Sequence, residues 1–138
     1  MKEGVRSVTT AARVHARFTR EDVRAAVAGL RGSVSFHAPL REYTSFKIGG
    51  PADVVVEPAD IEDVCLVVQQ ARARKIPMFV LGGTNLLIRD GGIRGIVVSL
   101  VRLRAIKEAS GSVLYAEGGV GMPTLIGYAI RQDRKSVV

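Results

Sequence analysis

"PMFVLGGTNLLIRDGG", Pro77 to Gly92, sets a polar, glycine-rich knot between two apolar runs. Gly82 and Gly83 tolerate positive φ and let a ligand or another backbone approach closely, while Thr84 and Asn85 carry short hydrogen-bonding side chains. Two readings stand side by side: a cradle for an anionic group such as phosphate, and an ordinary tight turn. A GxGxxG loop opening a helix, as in doubly wound dinucleotide folds, does not match this spacing. After Asn85 come Leu86 to Ile88, a turn at Asp90 to Gly92, and the run "IVVSL", Ile96 to Leu100, which read as strands around a turn. The loop is therefore expected to be a nest of backbone N–H groups between strands.

Upstream, "FKIGGPADVVVEPAD" contains a Gly-Gly-Pro turn and the β-branched run Val54 to Val56, which reads as a buried strand. Asp60 then caps a helix whose inward stripe is Ile61, Val64, Cys65, Val68 and Ala71, with Arg72, Arg74 and Lys75 in its last turn and Pro77 ending it. Met78 to Leu81 is the next apolar strand. Strand, helix and strand at this spacing predict a βαβ unit. Thr19 with Asp22 forms a capping box before Val23, Ala26, Val27 and Leu30, so a helix is expected from Arg20 to Arg31; residues 1–18 read as a loose arm and Ser33 to Ser45 as polar connection. Downstream, Val113 to Ala116 reads as a strand, "EGGVG" at Glu117 to Gly121 as a hinge, and Pro123 as opening a helix with Leu125, Ile126, Ala129 and Ile130 inward. The stripe lapses at "RQDRKSVV", Arg131 to Val138.

The totals suit one domain with a real core: 138 residues, 47% of them hydrophobic. A net charge of +7, concentrated toward the two ends, is compatible with an anionic partner. The arginines are scattered and only 5% of residues are aromatic, with no Trp, so no nucleic-acid partner is expected. Cys65 is the single cysteine, which excludes an internal disulfide and favours a reducing cytoplasm. The uncharged stretch Gly118 to Ile130 falls far short of the ~18 apolar residues a membrane span requires, so no membrane partner is expected.

Three stretches together, "TSFKIGGPAD" (Thr44 to Asp53), "VLGGTNLLIRDGGIRGIVV" (Val80 to Val98) and "GGVGMPTLIGYAI" (Gly118 to Ile130), resemble in order and spacing the N-terminal part of the UDP-N-acetylmuramate dehydrogenase family, also called UDP-N-acetylenolpyruvoylglucosamine reductase. The resemblance covers roughly residues 36–130. It implies an α+β, vanillyl-alcohol-oxidase (PCMH) type FAD-binding fold. On that division, residues 1–35 form an arm with a short helix, 36–105 a first FAD-binding subdomain with the βαβ unit, and 106–138 the incomplete start of a second. It also implies FAD as cofactor, NADPH as hydride donor and a UDP-sugar enolpyruvyl ether as substrate, in cytoplasmic peptidoglycan precursor synthesis. The family's pyrophosphate loop falls on Gly82, Gly83, Thr84, Asn85 and Leu86. Leu81 stands where relatives usually place the first glycine of that loop. Thr44 and Ile48 are candidates for contacts behind the cofactor.

In the family, the catalytic arginine, serine and glutamate follow this region, so no catalytic residue is assigned and the chain is read as a truncated relative, inactive by itself. Alternatives from the same residues are another FAD oxidoreductase of this fold, and a non-catalytic basic module for an anionic partner. His15 and His37 lack carboxylates or cysteines at ligand spacing, so no metal site is expected. Cys65 reads as a small core residue, and Glu62 and Asp63 as favourable charge at a helix start.

Overall fold

The computed structural model describes residues 18–81, 86–111 and 113–132. Helix α1 (Arg20–Ala26) precedes β1 (Ser33–Phe36) and a 3₁₀ turn (Leu40–Tyr43); β2 (Ala52–Glu57), α2 (Ile61–Ala73), β3 (Met78–Leu81) and β4 (Ile93–Ser99) follow. The four strands form one sheet in the order β1-β2-β4-β3. β1 runs antiparallel to β2, while β2 and β3 both run parallel to β4. The strand–helix–strand unit is present, but β4 inserts between its two strands.

That central position explains the unbroken apolar runs. Parallel strands covered on both faces carry no polar alternation. Val54, Val56, Ile96 and Val98 join Val23, Ala26, Val67 and Ala71 in a cluster with the two helices. Val55 and Val97 point the other way, into a cluster with Ala38, Leu40, Leu81 and Ile88. None of these six strand residues is more than 1% exposed, and each fully buried valine or isoleucine stabilises the fold by about 2 kcal/mol.

Because β3 and β4 are parallel neighbours, the chain between them must cross back over the sheet. Leu86 and Ile88 make this return across the second face, packed among the residues of that cluster. Leu86 to Ile88 is thus a covering segment and not a strand, which corrects the sequence expectation. Leu81, in turn, is the last residue of β3, paired with Ser99 and 7% exposed. It sits in the sheet, where a leucine is at home.

Two glycine turns lock together at the start of β4. The Gly50 N–H donates to the Arg89 carbonyl (3.0 Å) and the Ile93 N–H to the Pro51 carbonyl (3.1 Å). A Cβ on Gly50 would lie 1.9 Å from the Asp90 carbonyl oxygen; one on Gly92, at φ +68°, would lie 1.8 Å from that of Pro51. The motifs around Gly49-Gly50 and Gly91-Gly92 are therefore one tertiary contact.

Helix α1 has the expected capping box, with the Thr19 N–H donating to Asp22 (2.7 Å) and the Asp22 N–H to Thr19 Oγ1 (3.1 Å). It ends at Ala26, short of the expected Arg31, and the chain turns at Gly29 with φ +85°. Asp60 caps α2 by accepting from the Asp63 N–H (3.0 Å). The buried stripe of α2 is Asp63, Val67 and Ala71, whereas Ile61 and Cys65 are exposed. Cys65 is thus a surface residue and not a core one.

Asp63 accounts for this rotation. It accepts backbone N–H groups from Arg31 (3.1 Å), Gly32 (2.8 Å) and Ala59 (3.0 Å), and the Arg31 guanidinium lies 3.7 Å away. Burial pushes its carboxyl upward, but the three N–H donors and Arg31 outweigh burial and leave it below the ordinary carboxylate value. One carboxylate therefore ties the α1–β1 connection to the start of α2.

Beyond the sheet, β5 (Ile106–Ser110) and β6 (Val113–Ala116) form an antiparallel pair, followed by α3 (Met122–Arg131). Helix α3 begins as expected, with proline in its first turn, but contains no buried residue. Ile126 and Ile130, expected to face inward, are 51% and 66% exposed.

Candidate functional site

A cleft of about 420 Å³ opens beside Glu57, Leu81 and Ser99, which are the last residues of β2, β3 and β4. Ligands of open α/β sheets bind at such carboxyl ends, and the volume falls in the range of small-molecule sites. Tyr43 and Glu42 of the 3₁₀ turn form one wall with Glu57; Leu100, Val101 and the run Gly118 to Gly121 form the other. The Leu103 N–H donates to the Leu100 carbonyl (2.9 Å), and the Gly119 N–H to the Leu103 carbonyl (2.8 Å), which joins the β4 exit to the glycine run. A Cβ on Gly119 would lie 1.9 Å from the Leu100 carbonyl oxygen, so the run must be glycine there to close this wall.

The two walls differ electrically. The Tyr43 phenol is pushed above its ordinary value, first by burial and then by Glu57 and Glu42, so it remains a neutral hydrogen-bond donor at physiological pH. The Glu42 and Glu57 carboxylates make that wall unfavourable to an anionic group. Gly82, Gly83, Thr84 and Asn85, the expected anion loop, lie outside the described residues. Leu86, the fifth residue of that set, is half-buried and packs on the second cluster.

Thr44 is 2% exposed and donates to the Ile48 carbonyl (3.3 Å), closing its own turn, while Ile48 is half exposed. His37 occupies a left-handed turn at φ 52°, and its N–H donates to the Asp53 carbonyl (3.1 Å). His15 lies outside the described residues. Among the described residues, no group of three or more His, Cys, Asp or Glu is placed to hold a metal, and no helix is long and apolar enough to cross a membrane. Sequence reasoning passed over Glu42, Tyr43 and Glu57. The available signal was Glu57 itself, a charge ending a run of buried valines at a strand's carboxyl end.

Residues 52–136 match the family model described as FAD binding domain. The chain belongs to that family. It is 47% identical over 95 residues to the UDP-N-acetylenolpyruvoylglucosamine reductase of Rubrobacter xylanophilus, covering 67% of this chain and 32% of that protein. It is 39% identical over 125 residues to the like-named protein of Syntrophus aciditrophicus, covering 87% and 39%. The resemblance to this reductase family, read above from three stretches, is borne out by these relatives. The chain spans about a third of the length of the curated relatives it matches. Among solved structures it is similar to 4-ethylphenol oxidase from Gulosibacter chungangensis in its isoeugenol complex, with a TM-score of 0.51 and 23% identity over 64% of this chain and 18% of that one. The fold is thus α+β and of the vanillyl-alcohol-oxidase (PCMH) type, as the sequence implied.

The described residues fit FAD in chemistry. The cleft offers apolar walls at Leu81 and Leu100, a neutral phenol at Tyr43, and a glycine-rich main chain that leaves room for a broad cofactor.

Proposed function

We propose that this chain is the FAD-holding part of an NADPH-dependent reductase of a UDP-sugar enolpyruvyl ether in cytoplasmic peptidoglycan precursor synthesis. Residues 36–105, onto which α1 and β1 pack, would be the first FAD-binding subdomain and 106–138 the start of the second, with the cleft between them. FAD, when bound, supplies the hydride transfer from NADPH to the enolpyruvyl double bond. The chain's part is to bind and orient. Backbone amides of Gly82 to Leu86 hold the diphosphate, with the Thr84 hydroxyl as a further donor and Asn85 bracing the loop. Leu81 and Leu100 exclude water, and the Tyr43 phenol offers a donor on the acidic wall. No residue of this chain is assigned to proton delivery, and the role proposed for it is flavin binding.

The observation that carries this reading is the cleft at the carboxyl ends of β2, β3 and β4, whose lining includes Leu81, the residue that precedes the glycine loop in sequence. Refolding the chain with FAD and following flavin absorbance and fluorescence through gel filtration tests it. Retained yellow cofactor is expected, with affinity falling about 100-fold in Gly83→Asp, which sets a carboxylate against the diphosphate. A folded chain that shows no saturable quenching by FAD would overturn the reading. NADPH is tested separately by mixing it anaerobically with the flavin-loaded chain; flavin that stays oxidised removes NADPH from the proposal and leaves FAD in place.

A further inference from the structure

A second cavity lies at the opposite ends of the same strands. Asp53 and Arg94, near the starts of β2 and β4, line it together with Phe18, Val23, Arg24 and Phe36, among others; its volume is about 70 Å³ and it opens to solvent. Phe18 and Val23 are buried and make an apolar floor, whereas Phe36 is 44% exposed. The Arg24 guanidinium stands 5.7 Å from the centre of the Phe36 ring, a cation–π contact that holds a positive charge over an aromatic face.

The charge on this cavity is one-sided. Arg20, Arg24 and Arg94 line it against one carboxylate, Asp53. Asp53 is already engaged: it accepts from Arg94 Nε (3.0 Å) and from the Gly95 N–H (2.9 Å), where β4 carries an extra residue opposite β2. Among the described residues, Arg20 and Arg24 form no ion pair. The pocket therefore presents an apolar floor, an aromatic side wall and unneutralised guanidinium groups, at a place the FAD reading does not use.

We propose that this pocket binds a small planar organic anion, an aromatic ring bearing a carboxylate or phosphate. The ring lies against Phe36 and Val23, and the anionic oxygens meet the Arg20 and Arg24 guanidinium groups, for which paired donors suit a carboxylate or phosphate. The small volume limits the ligand to a single ring, with its anionic group toward solvent and the arginines.

The test titrates the isotope-labelled, folded full chain with benzoate and, separately, with neutral benzyl alcohol, following backbone amide shifts. Benzoate is expected to saturate and to move the amides of Val23, Arg24, His37 and Arg94. The neutral alcohol is expected to bind at least about tenfold more weakly. Arg24→Met, on an exposed helix face where folding is not at risk, should remove most of that difference, and added salt should narrow it in the wild type. Equal affinity for acid and alcohol, shifts confined to Tyr43, Ser99 and Gly119 around the other cleft, or no saturation would each overturn the proposal. Because the two cavities report through different amides, this result stands apart from the FAD titration.

Discussion

The sheet half of this molecule and its C-terminal half carry apolar residues in comparable patterns, yet they use them differently. In β2 and β4, six consecutive-run valines and isoleucines are buried on both faces by α1, α2, the 3₁₀ turn and the crossing segment at Leu86 to Ile88. In the β5–β6 pair and α3, Val113, Tyr115, Met122, Ile126 and Ile130 are all exposed among the described residues. Periodicity names the face of an element that favours burial, but says nothing of what lies opposite. Stability should therefore reside in the sheet half, and local opening in the other.

Substitutions of matched chemistry in the two halves sharpen this contrast. The largest effect is expected at the interlocked turns: Gly92→Val places a branched side chain at positive φ against the Pro51 carbonyl and should cost more than about 3 kcal/mol in urea unfolding. Ile96→Ala, in the centre of β4, should cost about 3 kcal/mol by cavity formation. A value below about 1 kcal/mol would break the claim that this strand anchors the fold.

Asp63→Asn comes next, at about 2 kcal/mol near neutral pH, because one amide oxygen cannot serve three backbone donors. The pH dependence has a definite sign. The folded carboxyl titrates below its unfolded value of about 3.9, so its stabilisation is fully present above that value and disappears as pH falls through the folded one. Thermal unfolding curves for wild type and Asp63→Asn should thus converge as the pH falls below the ordinary carboxylate range.

The smallest effects belong to α3. Gly127→Ala meets only the end of the Arg131 side chain at 3.6 Å and should strengthen the helix by roughly 0.5 to 1 kcal/mol, read as slower amide exchange within α3. Ile130→Ala should change global stability by less than about 0.5 kcal/mol. If Ile130→Ala matched Ile96→Ala, the two halves would be equally packed and the contrast would fail.

Much of the fold was legible in particular residues. Val54 to Val56, the Asp60 cap, the strand Met78 to Leu81 and the proline start of α3 were read from local pattern, because each signal is carried by neighbours in sequence. β1 was missed: Ser33 to Phe36 is mostly exposed, and pairing with β2 makes it a strand. The orientation of α2 was misread because the stripe through Ile61 and Cys65 looked apolar. The three backbone donors that pull Asp63 inward come from Arg31, Gly32 and Ala59, and the first two lie some 30 positions upstream. The wall of Glu42, Tyr43 and Glu57 was likewise invisible, since segments far apart in the chain meet there.

By itself, the order of residues determined the family, the α+β composition and the glycine knot after β3, since each follows from short-range pattern and motif spacing. Only the tertiary structure decided that β4 enters between β2 and β3, that Leu81 belongs to the sheet, and that two cavities of different charge lie at opposite ends of the same strands. The physical reason is that burial and charge balance depend on what faces a side chain across space, and those partners come from distant parts of the chain.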